Sequence, residues 1–242
     1  MNEKLRRWVG MPLRRQEDVA FLTGGARYVA DLGAKGSLHM RIVRSNAAHA
    51  RLRSVDGSSA LAMPGVVAVY TSADLAGSAG KLPTQAAPGA DITPVPITLL
   101  AQGKVRFAGE PVAVVLAESE ALAEDGAGRV EVDYDWLDPV VSLEDSRSGR
   151  ILLHEELSTN RVLFWRGGSG SFESASAEAD TVVRAAFRIP RLAAAPMEPR
   201  GCLVSFDPES GAFDMWASAQ DPHRPKAQLA EVLGVDPSGI RV

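Results

Sequence analysis

The strongest constraint in this chain is Pro111–Ala117, PVAVVLA, the most apolar run it contains. A short continuous run of β-branched and aliphatic residues is the signature of a strand covered on both faces. It predicts the central strand of a sheet. The runs around it read as strands too. Leu38–Ser45 (LHMRIVRS), Arg51–Asp56 (RLRSVD) and Arg129–Tyr134 (RVEVDY) alternate apolar with polar residues, and Val66–Thr71 (VVAVYT) is a β-branched run expected to be buried. Between them lie short helices. One is expected after Asp56 through Met63, capped by Asp56 and stopped by Pro64-Gly65; another spans Glu118–Ala127, weakened by Gly126. Strand and helix alternate irregularly, which predicts an α+β fold rather than a doubly wound one. Residues 76–96, rich in Gly, Ala and Pro, read as a long loop.

The second half is sparser. Residues 138–160 read as a connection and Gly167–Ser171 (GGSGS) as a flexible stretch. Thr181–Ile189 (TVVRAAFRI) and Gly201–Asp207 (GCLVSFD) read as strands, and Ala212–Ser218 (AFDMWAS) as the return arm of a hairpin turned by PESG. A helix opens between Pro222 and Pro225, presents Leu229, Val232 and Leu233 on one face, and stops at Gly234. Gly239–Val242 begins another strand. A region of about 80 residues with so few elements has little with which to cover its own apolar faces. The expectation is that more protein completes it.

Composition excludes several classes. The 242 residues are 45% hydrophobic with a net charge of -4, so a real core is available and no basic footprint for nucleic acid is present. The one basic cluster, Arg6, Arg7, Arg14 and Arg15, lies in a polar arm over residues 1–17, read as a solvated tail with a membrane-surface or partner contact as the alternative. A single cysteine, Cys202, allows no intrachain disulfide and no thiolate cluster for zinc or iron–sulfur. No apolar stretch has the length of a membrane span, and the default is a soluble cytoplasmic protein.

Few residues suggest chemistry. His39, His49, His154 and His223 are far apart and lack a second ligand at helical spacing; they read as structural, hydrogen-bonded histidines rather than metal ligands. Cys202, in an apolar strand, reads as a buried inert thiol. Glu198 is either a general base raised by burial or a paired structural carboxylate. Gln220 follows a strand and precedes a helix, a junction where sites often lie.

Five segments together resemble the large subunits of the molybdenum hydroxylase family, which includes xanthine dehydrogenase and aldehyde oxidase. They are RQEDVAFLTGGARYVAD (15–31), VRSNAAHARLRSVDGSSALAMPGVVAVYTSADL (43–75), KVRFAGEPVAVVLAES with the following VEVDYDWLDPVV (104–141), AAPMEPRGCLVSFD (194–207) and MWASAQDPHRPKAQLAEVLGVDPSGIRV (215–242). The resemblance implies an α/β hammerhead domain over 18–137, a linker over 138–160, and the incomplete first part of an α+β molybdopterin-binding domain over 161–242. It implies a molybdopterin-type molybdenum cofactor, for which a cytosine dinucleotide form is open, that oxidises an aldehyde or N-heterocycle with water-derived oxygen. It also implies hetero-oligomeric partners: a second molybdopterin-binding chain, an iron–sulfur subunit with [2Fe–2S] clusters and an FAD subunit.

Only Gln220 matches a family position at the metal, that of the glutamine whose amide hydrogen-bonds to a molybdenum oxo ligand. The family's glycine-rich Phe segment and its catalytic glutamate base have no counterpart in this sequence, so the chain is not expected to be active alone. The sequence also departs from the family at Gly168-Ser169, where a Gly-Asp pair is usual, and at Gly126 and Gly128, which replace helix-favouring residues. The alternative is a non-catalytic scaffold or binding module, or a truncated inactive product.

Overall fold

The computed structural model describes residues 10–84, 88–168, 170–190 and 192–242. Arg6, Arg7 and the rest of the arm before Gly10 lie outside them, as does Ser169 of the Gly-rich stretch. The chain runs through α1 (Asp18–Leu22), β1 (His39–Arg44), β2 (Ala50–Asp56), α2 (Ser58–Leu61), β3 (Val66–Thr71), β4 (Asp91–Ile92), β5 (Lys104–Val105), β6 (Pro111–Ala117), α3 (Glu120–Ala127) and β7 (Glu131–Trp136). It continues through α4 (Leu143–Ser148), β8 (Leu163–Phe164), α5 (Phe172–Glu178), β9 (Cys202–Asp207), β10 (Ala212–Ala217), α6 (His223–Leu233) and β11 (Ile240–Arg241). The mixture is α+β, as the irregular alternation predicts.

The apolar run PVAVVLA is β6, and it is the middle strand of an antiparallel sheet ordered β1-β6-β3. Val112, Ala113, Val115 and Ala117 are buried on it. A second antiparallel sheet, β5-β2-β7, supplies the opposing surface. Ala47, Ala50, Ala101, Val105 and Val112 form the joint core, with Val43, Leu52, Val132 and Tyr134 packed around it. Small residues dominate this centre. Strand β3 departs from expectation: it pairs only with β6, lies at an edge, and is half-exposed, with Val67 and Tyr70 open to solvent.

Helix α3 closes the first sheet. Ser119 caps it by accepting from the Leu122 N–H. Gly126 is buried, and a Cβ built there would stand 3.1 Å from both Val115 Cγ1 and Val66 Cγ2. The glycine that weakens the helix is therefore the residue that lets it lie down on β6 and β3. Helix α2 is shorter than expected, with Gly57 at its N-cap; the Asp56 carboxylate still accepts from the Ser58 N–H at 2.8 Å.

The loop over 76–96 holds more structure than its composition suggests. Strand β4 pairs with β8, Leu82 bridges Ile97, and Thr84 exchanges hydrogen bonds with Val95; residues 85–87 lie outside the described ones. Two further elements appear: α4 falls inside the predicted connection, and α5 follows directly after the stretch read as flexible, where the sequence predicts no element. Each has a serine cap, Ser142 accepting from Asp145 N–H and Ser171 from Ser174 N–H. The connection is pinned to β5 by Lys104, whose Nζ lies 2.6 Å from Glu155 Oε1, and by Arg106, whose Nε donates to the Leu153 carbonyl at 2.9 Å. That lysine lowers the Glu155 carboxyl below its ordinary value, chiefly through the hydrogen bond.

The second half is a small sheet ordered β11-β10-β9, with β9 and β10 as the predicted hairpin and β11 parallel to β10. Phe206 and Phe213 face each other across the hairpin, ring centroids 4.6 Å apart. The expected strand over 181–189 does not form. The sheet stops at β9, and no described strand offers that segment a ladder of hydrogen bonds, without which extended backbone is not a strand. Val183, Phe187, Ile189 and Leu192 are each more than 80% exposed there. The buried face of α6 also shifts: Ala230 and Val232 are covered while Leu233 is partly open. Among the described residues no helix is long and apolar enough to cross a membrane.

Candidate functional site

The residues singled out from sequence do not gather into a metal centre. His39 and His223 are exposed on β1 and at the start of α6. His154 Nδ1 lies 3.2 Å from Glu156 Oε1. His49 is buried, with Nδ1 2.7 Å from the Asp138 carbonyl. A carbonyl only accepts, so Nδ1 carries the proton and the ring serves the fold. Among the described residues no group of three or more His, Cys, Asp or Glu could hold a metal ion. Cys202 is exposed, against expectation, because β9 is an edge strand paired only with β10. Of the arm's arginines within the described residues, Arg15 lies 3.9 Å from Asp18 and over the Phe21 ring.

Glu198 and Gln220 lie on the two segments that flank the hairpin, one before β9 and the other after β10. Glu198 is half-buried, and its Oε1 accepts from the Val29 N–H at 3.2 Å, 169 positions away in sequence. That bond fastens the PMEPR segment to the turn at Tyr28–Asp31, itself closed by the Tyr28 N–H donating to Asp31 Oδ2 at 2.9 Å. The carboxylate is thus partnered. A cleft of about 340 Å³ opens beside it, lined by Arg27, Tyr28, Glu198, Trp216, Ala219 and Val242 among others.

Gln220 lies in the short link from β10 to α6, between the lining positions Ala219 and Pro222. On one side, the Ser218 N–H donates to the Gly201 carbonyl at 3.0 Å and ends the hairpin ladder. On the other, Asp221 Oδ1 accepts from the His223 N–H at 2.8 Å and turns the chain into the helix. Helix α6 is held in turn by the loop before β4: the Gly80 N–H donates to the Val232 carbonyl at 2.6 Å, where a Cβ on Gly80 would stand 3.2 Å from that oxygen. Gln220 itself is exposed, and no described residue partners its side-chain amide. Its amide is a neutral, directional hydrogen-bond donor.

Comparison with known proteins defines the class. Residues 23–138 match the aldehyde oxidase and xanthine dehydrogenase a/b hammerhead domain, and residues 153–242 match the molybdopterin cofactor-binding domain. The chain is 38% identical over 238 residues to the nicotine 6-hydroxylase large subunit of Paenarthrobacter nicotinovorans, covering 98% of this chain and 29% of that protein. It is 32% identical over 241 residues to the carbon monoxide dehydrogenase large chain of Hydrogenophaga pseudoflava, covering 94% and 29%. The structure of quinoline 2-oxidoreductase from Pseudomonas putida 86 superimposes with a TM-score of 0.84 at 34% identity, over 94% of this chain and 29% of that one. These comparisons, with the two-sheet domain and the hairpin that follows it, place the chain among large subunits of molybdenum-dependent hydroxylases, of which it spans about a third or less. It belongs to the xanthine dehydrogenase/aldehyde oxidase family and corresponds to part of that family's molybdopterin-binding subunit.

Proposed function

We propose that this chain supplies the hammerhead domain and one edge of the molybdenum pocket in a hydroxylase that oxidises an aldehyde or N-heterocycle with water-derived oxygen. Residues 18–137 form the hammerhead, 138–160 the linker and 161–242 the first part of the molybdopterin-binding domain. The observation that carries the reading is the exposed Gln220 amide, set between the Ser218 and Asp221 turns, in a link whose neighbours Ala219 and Pro222 line the cleft, and unpartnered among the described residues. When bound, the cofactor supplies the two-electron redox chemistry.

What the chain's own groups do is narrower. Gln220 would donate its amide N–H to an oxygen atom of the bound cofactor. The Ser218 and Asp221 turns hold that donor in place, so little reorganisation accompanies binding. Trp216 and Ala219 line the adjacent wall. Glu198 accepts from the Val29 N–H and is read as an anchor rather than the base. Proton abstraction falls to a glutamate of the remaining large-subunit sequence, and electrons pass to iron–sulfur and flavin partners in a cytoplasmic hetero-oligomer. A dinucleotide form of the pterin is compatible with this arrangement.

The test is co-expression with the partner chains. The complex should contain molybdenum and oxidise an aldehyde or N-heterocycle, and Gln220→Ala should lower turnover on the order of 100-fold, the loss expected for one preorganised donor. A monodisperse metal-free chain that never joins such a complex would refute the proposal.

A further inference from the structure

We propose that Ser218 is a positioning residue for Gln220, locking the direction in which the amide leaves the hairpin; the inference rests on the reading of Gln220 given above. Ser218 is half-buried and sits two residues before Gln220, immediately after the last register point of the hairpin. Its backbone alone would end the ladder, through the Ser218 N–H to the Gly201 carbonyl. Its hydroxyl does more. Oγ donates to the Pro199 carbonyl at 3.0 Å and accepts from the Gly201 N–H at 3.2 Å. A hydroxyl has one proton, so the Gly201 carbonyl at 3.4 Å is only a weaker alternative acceptor.

One side chain therefore satisfies two backbone groups of the Pro199–Gly201 segment across the strand pair. Gly201 is confined between it and the N-terminal turn. A Cβ there would lie 3.3 Å from Val29 Cγ1 and 4.0 Å from Ser218 Oγ. Glu198, one residue before Pro199, is tied to the Val29 N–H. The result is a continuous chain of short contacts: the Tyr28–Asp31 turn holds Glu198, the segment Glu198–Gly201 holds the Ser218 hydroxyl, and Ser218 sets the backbone from which Ala219 and Gln220 project. Past Ser218 the next restraint is the Asp221 turn. Gln220 thus has one anchor on each side, and only the Ser218 anchor ties it to the N-terminal turn. With alanine at 218, the backbone bond to Gly201 remains and the hairpin persists, but the Pro199 carbonyl and Gly201 N–H lose their partner and the link to Gln220 gains freedom. Threonine keeps the hydroxyl and the anchor.

The experiment uses the assembled molybdenum-containing complex and reads the terminal molybdenum–oxo stretch by oxygen-isotope difference Raman spectroscopy. A hydrogen bond accepted by that oxygen lowers the frequency, so Q220A should raise it. S218A should reproduce at least half of that rise with unchanged molybdenum content, and S218T should restore the wild-type frequency. If Q220A leaves the frequency unmoved, the assignment of Gln220 fails and the inference falls with it. If Q220A moves it while S218A does not, Gln220 stands and the positioning role of Ser218 is refuted. Should S218A fail to assemble, S218C, which keeps the size with a weaker hydrogen-bonding group, is held to the same criterion.

Discussion

Replacing Gly126 by alanine tests the packing that organises the first domain. In a free helix the change would stabilise by about 1 kcal/mol, since alanine has the better intrinsic preference. Here the added Cβ would stand 3.1 Å from Val115 Cγ1 and 3.1 Å from Val66 Cγ2, several tenths of an ångström inside ordinary carbon contact. Val115 is fully buried on the middle strand, with ladders on both sides, and cannot withdraw. Overpacking of this kind costs about 1–3 kcal/mol. Taking about 2 against the gain of about 1, the net effect is a loss of about 1 kcal/mol. Val115→Ala alone removes two methyl groups from the core and costs about 2–3 kcal/mol. In that background the Cβ added at position 126 meets only Val66 on the edge strand, which can yield, and the helix preference prevails. G126A should then be neutral or stabilising, giving a coupling of about 1 kcal/mol or more between the two sites. Urea titrations of the four proteins, followed by far-ultraviolet circular dichroism, supply the cycle. Stabilisation by G126A in the wild-type background, or additivity within about 0.3 kcal/mol, would refute the close-approach argument.

Two further outcomes follow from the linker and the open segment. Glu155 has a folded pKa below its ordinary value, so its contribution is full above the unfolded value and is lost as the pH falls through the lowered folded one. Glu155→Gln should flatten the acid limb of stability against pH by lowering the neutral plateau slightly while leaving the acid limit unchanged, the difference being small because the Glu155 side chain is 62% exposed and well screened; an acid limb as steep as that of the wild type would contradict the pairing with Lys104. Brief trypsin treatment should cut first after Arg184 and Arg188, which are exposed on backbone without a strand partner among the described residues, on the order of tenfold faster than within the hammerhead. Peptide mapping decides it, and first cuts within β1–β7 would contradict the exposure pattern.

Local chemistry carried much of this structure into the sequence. PVAVVLA is the middle strand because nothing but burial on both faces suits such a run. RVEVDY and the PESG hairpin follow from alternation and turn residues. The failures have a common cause. TVVRAAFRI has every local property of a strand, yet a strand also needs a neighbour, and periodicity says nothing about who that neighbour is. For the same reason Cys202 is exposed: its run is apolar, but β9 is an edge. Helices α4 and α5 are short, and the signals of their Ser142 and Ser171 caps are masked by the Gly and Pro around them. At the site, Gln220 was legible only through family resemblance, since a lone glutamine at an element junction has no distinguishing spacing. The anchors around it were not legible at all: Val29 meets Glu198 across 169 positions, and Ser218 meets Pro199 across 19.

With the cofactor in place, the Gln220 amide should point at the metal. Electron–nuclear double resonance of the reduced, paramagnetic molybdenum centre in the assembled complex, compared in ordinary and deuterated water, measures that directly. The wild-type complex should show an exchangeable proton coupling that vanishes in Gln220→Ala at full molybdenum occupancy. An identical spectrum in the two proteins would mean that this amide does not face the metal.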